Sequence, residues 1–163
     1  MTREQFDREF GAFLIHEGVY HFGARECCPV GTVSRGVTLQ APPRQFWPNA
    51  IRTLHRLERL RMEIRERVPN ATLRVNSGFR DPAYNAAVGG SSGSLHCMFA
   101  AFDVAAWVRS RSATWERAMT PAEMHRLVDA FPDSDKFGLG LYDTFIHVDT
   151  RGYLGDPRAR WNG

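Results

Sequence analysis

The chain has 163 residues, 43% of them apolar and 24% charged, a composition that excludes disordered, coiled-coil and fibrous classes and fits a single domain spanning 1–163. No apolar run approaches the roughly 20 residues a membrane-spanning helix needs. Lys136 is the one Lys among 21 basic residues, but 18 acidic residues are interleaved with the arginines and the net charge is only +3, so a solvated surface is expected and no nucleic-acid partner.

The charged start, Met1 to Phe10, lacks the apolar stretch of a secretory signal, so a protein made in the cytoplasm without an export address of its own is expected. Thr2 and Gln5 form a capping-box pattern, and Phe6, Phe10, Phe13 and Leu14 follow at helical spacing, which predicts an amphipathic helix over 1–18. Residues 20–46 carry Pro29, Gly31, Gly36, Pro42 and Pro43 and read as a long irregular loop lying over the body. Pro48 opens a helix whose apolar face is Ile51, Leu54, Leu57, Leu60, Ile64 and Val68, stopped by Pro69-Asn70. Thr72 to Ser77 alternates as a short strand, and Asp81-Pro82 starts another helix. The Gly- and Ser-rich stretch 89–94 is flexible in composition and delivers the chain to His96. Thr120-Pro-Ala-Glu123 is a second capping box, ahead of Met124, Leu127, Val128 and Phe131 on one stripe. Gly138 to Tyr142, a turn at Asp143-Thr144, and Phe145 to Asp149 form the last ordered unit. Helices mixed with a few short strands indicate an α+β fold. Cys27, Cys28 and Cys97 are odd in number and lack a Cys-x-x-Cys pair, so reduced thiols are expected.

Two places set ionisable groups where a core belongs. Asp103 lies in the strand Ala101-Phe-Asp-Val-Ala-Ala-Trp107, where an unpaired carboxylate costs several kcal/mol or protonates; it needs a cation. His96 stands seven residues earlier, beyond the loop residues Cys97 to Phe99, and must reach round from the loop end. His147 and Asp149 lie two apart in a strand and so share one face. Two histidines and a carboxylate, with a further carboxylate beside them, make up the donor set of a catalytic zinc site with one position left open. A hydrogen-bonded core histidine and a turn-initiating aspartate are the plainer alternative for each residue taken alone.

In combination these blocks resemble a known family. Ser77-Gly-Phe-Arg80, Asn85-Ala-Ala-Val-Gly-Gly90, Ser94-Leu-His96 with Asp103, Gly138-Leu-Gly-Leu-Tyr142 and Phe145-Ile-His-Val-Asp149 look like the ordered signature of the zinc D-Ala-D-Ala carboxypeptidases. That group is related to phage L-alanyl-D-glutamate endopeptidases and to the hedgehog signalling domain. The resemblance covers about residues 20–153 and implies a compact α+β domain with a small, mainly antiparallel sheet and flanking helices. It implies that His96, Asp103 and His147 bind Zn²⁺, that Arg80 lies across the cleft near a substrate carboxylate or oxyanion, and that Ser94 bonds substrate or braces the loop. It also implies a peptidoglycan peptide as substrate, a monomer, and action on the cell wall after release or delivery, as in a phage lysin.

Two departures stand out. Several relatives carry an acidic base three residues before the last His, and position 144 here is Thr; Asp149 is the preferred base, Asp143 the alternative, and Asp149 would otherwise orient a ligand His. The usual Gly three residues after the first ligand is Phe99, where positive φ is costly, so this side chain is expected either to plug the core or to line a subsite. Cys97 is expected as a small buried thiol rather than a ligand, and His16, His21, His55 and His125 have no partners at ligand spacing. A zinc-stabilised but catalytically silent module of the same fold is the alternative to an enzyme.

Overall fold

The computed structural model describes residues 1–163. Helix α1 (Arg3–His16) starts at the predicted capping box and buries Phe6, Phe10 and Leu14. The segment read as a loop over 20–46 is more ordered than that. It holds the single turn α2 (Ala24–Cys27) and the hairpin strands β1 (Val33–Ser34) and β2 (Val37–Thr38). Strands of two residues leave no periodicity to detect. Helix α3 (Trp47–Arg67) carries Pro in its first turn, and Leu54, Leu57 and Leu60 on its inner face are fully buried, each contributing about 2 kcal/mol by loss of apolar surface from water.

The sheet has six strands: β3 (Thr72–Ser77), β4 (Ala101–Arg109), β5 (Trp115–Met119), β6 (Gly138–Leu141), β7 (Ile146–Asp149) and β8 (Ala159–Asn162). Their order is β3-β4-β7-β6-β8, with β5 paired to β4 beyond β7. All pairs are antiparallel except β6 with β8. Strands β5 and β8 are absent from the sequence reading, and both are irregular: β5 carries a register shift and β8 reads Ala-Arg-Trp-Asn without alternation. Short helix α4 (Pro82–Ala87) is capped by Asp81, and α5 (Pro121–Asp129) by the second capping box.

Alternation along the strands decides which face is covered. Phe102, Val104, Leu139, Ile146 and Val148 are fully buried in the core, on the side where α3 and α5 pack. Asp103, Ala105 and Trp107 of β4 and His147 and Asp149 of β7 point the other way. The buried Thr53 hydroxyl of α3 donates to Ala100 O (2.8 Å) and meets Thr150 Oγ1 at 2.9 Å, tying the helix to the start of β4 and the end of β7. No helix is long and apolar enough to cross a membrane.

Candidate metal centre

His96 reaches the sheet through a tight reversal. Ser94 caps the 3-10 turn Leu95–Met98 by accepting from the His96 N–H at 3.4 Å, so Ser94 braces the loop while also lining the cleft. Phe99 then adopts the left-handed conformation, with φ 55° and ψ 26°, and its N–H donates to His96 O. This is the backbone that Gly supplies cheaply, and here Phe adopts it. The ring plugs the core: it is fully buried, with ring centroids of Phe10, Phe79 and Phe102 at 5.2, 5.6 and 5.7 Å. The reversal sends the chain directly into β4, and His96 and Asp103 meet despite their odd spacing.

Strand register does the rest, since Asp103 lies directly opposite His147 in the β4–β7 ladder. Asp103 Oδ1 is 2.9 Å from His147 Nδ1 and 3.3 Å from His96 Nε2. One donor atom from each of the three residues lies within 4.8 Å of the others, and all three residues are buried. A tetrahedral zinc ion with bonds of about 2.0–2.1 Å holds its donors roughly 3.3 Å apart. Two imidazole nitrogens and one carboxylate oxygen at these separations fit that ion, in chemistry as well as in spacing.

The outer nitrogens of both rings are already committed. His96 Nδ1 lies 2.6 Å from the carbonyl of Gly78; a carbonyl only accepts, so Nδ1 carries the proton and Nε2 presents its lone pair. His147 Nε2 donates to Asp149 Oδ2 at 3.0 Å, leaving Nδ1 toward Asp103. Such partners orient ligand rings and raise their basicity.

Of the two roles expected for Asp149, base or support of a ligand His, its hydrogen bonds resemble the second. Its carboxylate is fully buried and saturated: Oδ1 accepts from the backbone N–H groups of Gly138 and Arg151 and from Arg151 Nε, while Oδ2 accepts from Arg151 and His147. Burial pushes its pKa up, but the bonds from His147 and Arg151 outweigh this and hold it well below the usual carboxylate range. A base must be free to take a proton; these surroundings equip Asp149 to hold His147 instead. Asp143 is exposed on the β6–β7 turn and does not line the cleft.

Asp103 is likewise ionised: burial raises its pKa and is outweighed by hydrogen bonds from His147 and His96. Burial lowers His96 despite Asp103. For His147 burial also pulls downward, but the bonds to Asp103 and Asp149 leave it raised. Arg80 donates from Nη2 to Asp103 Oδ2 at 2.9 Å and from Nε to Ser77 at 2.9 Å. A bulge between Val75 and Ser77 in the β3–β4 register turns Ser77 toward Asp103. Buried Asn85 completes this support, accepting from Arg80 and donating to Ser91 O at 2.8 Å.

The cluster lies at the base of a cleft of about 460 Å³. Arg80, Ser94 and the 89–94 loop form one side, and Tyr142, Phe145, Arg151 and Trp161 the other. Trp161, on β8, is a wall residue that the sequence reading missed. Its ring centroid is 5.2 Å from that of His147, its Nε1 donates to Tyr142 Oη at 3.1 Å, and Arg151 stacks on it at 5.2 Å. Gly140 makes room for it, since a Cβ there would meet the indole at 2.6 Å. A Trp after the last pattern block was the available signal; Arg151, two residues beyond Asp149, was another. Cys97 is half-buried rather than buried and outside the ligand group, and all three cysteines are free. His21 pairs with Glu58, His16 with Glu17, and neither His55 nor His125 lines the cleft.

The family model described as Peptidase M15 matches residues 24–149, a span that contains His96, Asp103, His147, Asp149 and Arg80. Arg151 and Trp161 lie beyond it. No curated protein matches the chain.

Proposed function

The chain belongs to the Peptidase M15 family, and from that premise we propose that it is a zinc-dependent peptidase that hydrolyses an amide bond in peptidoglycan stem or cross-link peptides, as a D,D-carboxypeptidase or an endopeptidase. The observation that carries this reading is the buried His96–Asp103–His147 group at the base of an open cleft. In this reading His96 Nε2, Asp103 Oδ1 and His147 Nδ1 hold Zn²⁺. When bound, zinc supplies the acidification of water and the polarisation of the scissile carbonyl.

The protein's own groups then do the following. Gly78 O and Asp149 fix the two imidazoles in the tautomers that ligation requires. Arg80 clamps the outer oxygen of Asp103 and presents its remaining N–H edge to the cleft, where a planar cation suits a substrate carboxylate or a developing oxyanion. The cleft pairs Arg80 and Arg151 with Asp103 and Asp149, so these side-chain charges cancel, and a bound dication leaves the site positive toward an anionic peptide end. Ser94 and Tyr142 offer hydroxyls at its two sides for the peptide backbone. A lysin of a phage or its host is the biological setting this substrate suits.

The second reading, a silent zinc module, is favoured by one observation: no carboxylate lines the cleft besides Asp103 and Asp149, and both are saturated. Incubating the protein with defined peptidoglycan fragments, followed by mass analysis of products, separates the readings. Release of D-Ala or of a cross-link fragment that stops with chelator supports the peptidase. Stoichiometric zinc without any product supports the silent module.

A further inference from the structure

Hydrolysis of an amide needs a proton at the nitrogen that leaves, and the residues around the metal centre have none to spare. The His96 Nδ1–H is held by Gly78 O and the His147 Nε2–H by Asp149. The Asp103 and Asp149 carboxylates only accept, from His147, Arg80 and Arg151. Arg80 and Arg151 do not give up their protons. Among the side-chain types that serve as general acids, this leaves one in the cleft: Tyr142. An alcohol is a far weaker acid than a phenol, which sets Ser91 and Ser94 aside.

Tyr142 follows β6 directly and is held on three sides. Its ring stacks on that of Phe145 across the β6–β7 turn, with centroids 4.4 Å apart and planes 13° from parallel, and its N–H donates to Phe145 O at 3.1 Å. Gly163, just past β8, donates to Leu141 O at 2.9 Å and packs so closely on the ring that a Cβ there would collide with it. The third contact sets the direction of the hydroxyl. An indole N–H only donates, so in the 3.1 Å bond between Trp161 Nε1 and Tyr142 Oη the phenol is the acceptor. Its own proton is therefore turned away from Trp161, and no protein group accepts it. The same indole lies 5.2 Å from the His147 imidazole, centroid to centroid. The free O–H thus stands beside the ligand cluster, on the wall facing Arg80.

We propose that Tyr142 is a catalytic residue, the acid that protonates the leaving amine nitrogen, and that Trp161 is the residue positioning its hydroxyl. The inference rests on the peptidase reading above. In this step the oxygen of water bonds to the carbonyl carbon, the C–N bond breaks, and the phenolic proton passes to nitrogen. Water gives up two protons: one restores Tyr142 and the other reaches the amine, so the products are a carboxylate and an ammonium group. A substrate whose leaving atom needs no proton gains nothing from Tyr142.

The zinc-loaded full chain is tested on peptidoglycan stem and cross-link peptides and on their analogues with sulfur in place of the scissile N–H, since a thiolate departs unprotonated. Tyr142→Phe is expected to lower kcat on the amide about 100-fold or more, the scale of general acid catalysis, and to cleave the thioester within ~3-fold of the wild-type rate. KM should change little, and zinc should still bind stoichiometrically. Trp161→Phe, which lacks the N–H, is expected to show the same selective loss to a smaller degree, and it carries the comparison if Tyr142→Phe does not fold. In the zinc-free protein the proton resonance of the Trp161 indole N–H is expected to move on Tyr142→Phe. Near-wild-type amide cleavage by Tyr142→Phe overturns the proposal. So does equal loss on amide and thioester, or an indole resonance that stays in place. A wild-type chain that binds zinc and cleaves neither substrate overturns the peptidase reading, and this proposal with it.

Discussion

Phe99 should be a core position at which glycine is tolerated better than alanine. Removing a buried Phe side chain costs about 3–5 kcal/mol, and both substitutions lose its packing on Phe10, Phe79 and Phe102. They differ in the backbone. At φ 55° alanine keeps a left-handed penalty of about 1–2 kcal/mol, while glycine escapes it and gives back about 0.5–1 kcal/mol through its freer unfolded chain. The balance leaves Phe99→Gly destabilised by about 3 kcal/mol and Phe99→Ala by about 4. For 163 residues, an unfolding entropy of about 2.1 cal/mol/K per residue makes 1 kcal/mol worth about 3 °C. Melting temperatures should therefore fall by about 9 °C for glycine and about 12 °C for alanine, read by calorimetry on the metal-free proteins. An alanine variant as stable as the glycine variant, or more so, refutes the left-handed reversal between His96 and Asp103.

Asp149→Asn should weaken zinc binding about 10–100-fold, as loss of a ligand's hydrogen-bond partner does; unchanged zinc affinity with lost turnover would instead make Asp149 a proton acceptor. Zinc affinity should rise with pH. His147, raised by its carboxylates, still holds a proton that zinc must displace, while His96, lowered by burial, has already lost its own. The slope of log affinity should be close to about one per pH unit below neutrality, and a flat profile counts against His147 as ligand. Thr53→Val should cost about 1–3 kcal/mol in chemical denaturation by stranding the buried Thr150 hydroxyl and leaving Ala100 O with the Thr150 N–H as its one remaining donor; a neutral effect would show that this buried pair does not anchor β4 and β7.

The parts of the fold legible in the sequence are those whose signals are local. Two capping boxes and the apolar stripe of α3 mark helices that need no partner to be recognised, and the His147-x-Asp149 spacing fixes a shared face by strand geometry alone. What escaped depends on distant pairing. β8 exists because it lies parallel to β6, and nothing in Ala159 to Asn162 announces this pairing; a Trp beyond the last pattern block is visible in the sequence, but its place as a cleft wall is not. β5 was hidden by its bulge, and with it the alignment of Trp115 and Arg117 with the ligand face. Phe99 was legible as an anomaly but not as its own solution, because core packing around the ring overrides the backbone preference. The filling of the Asp149 carboxylate depends on Arg151, whose bidentate grip is set by the turn after β7.

The most direct measurement is peptide release from a peptidoglycan fragment by chelated protein, titrated with Zn²⁺ and compared with His147→Ala. The account predicts no release without metal, activity rising to a plateau at one zinc per chain, and none in the variant at any zinc concentration. Full activity in chelator, or an active His147→Ala protein, would contradict it.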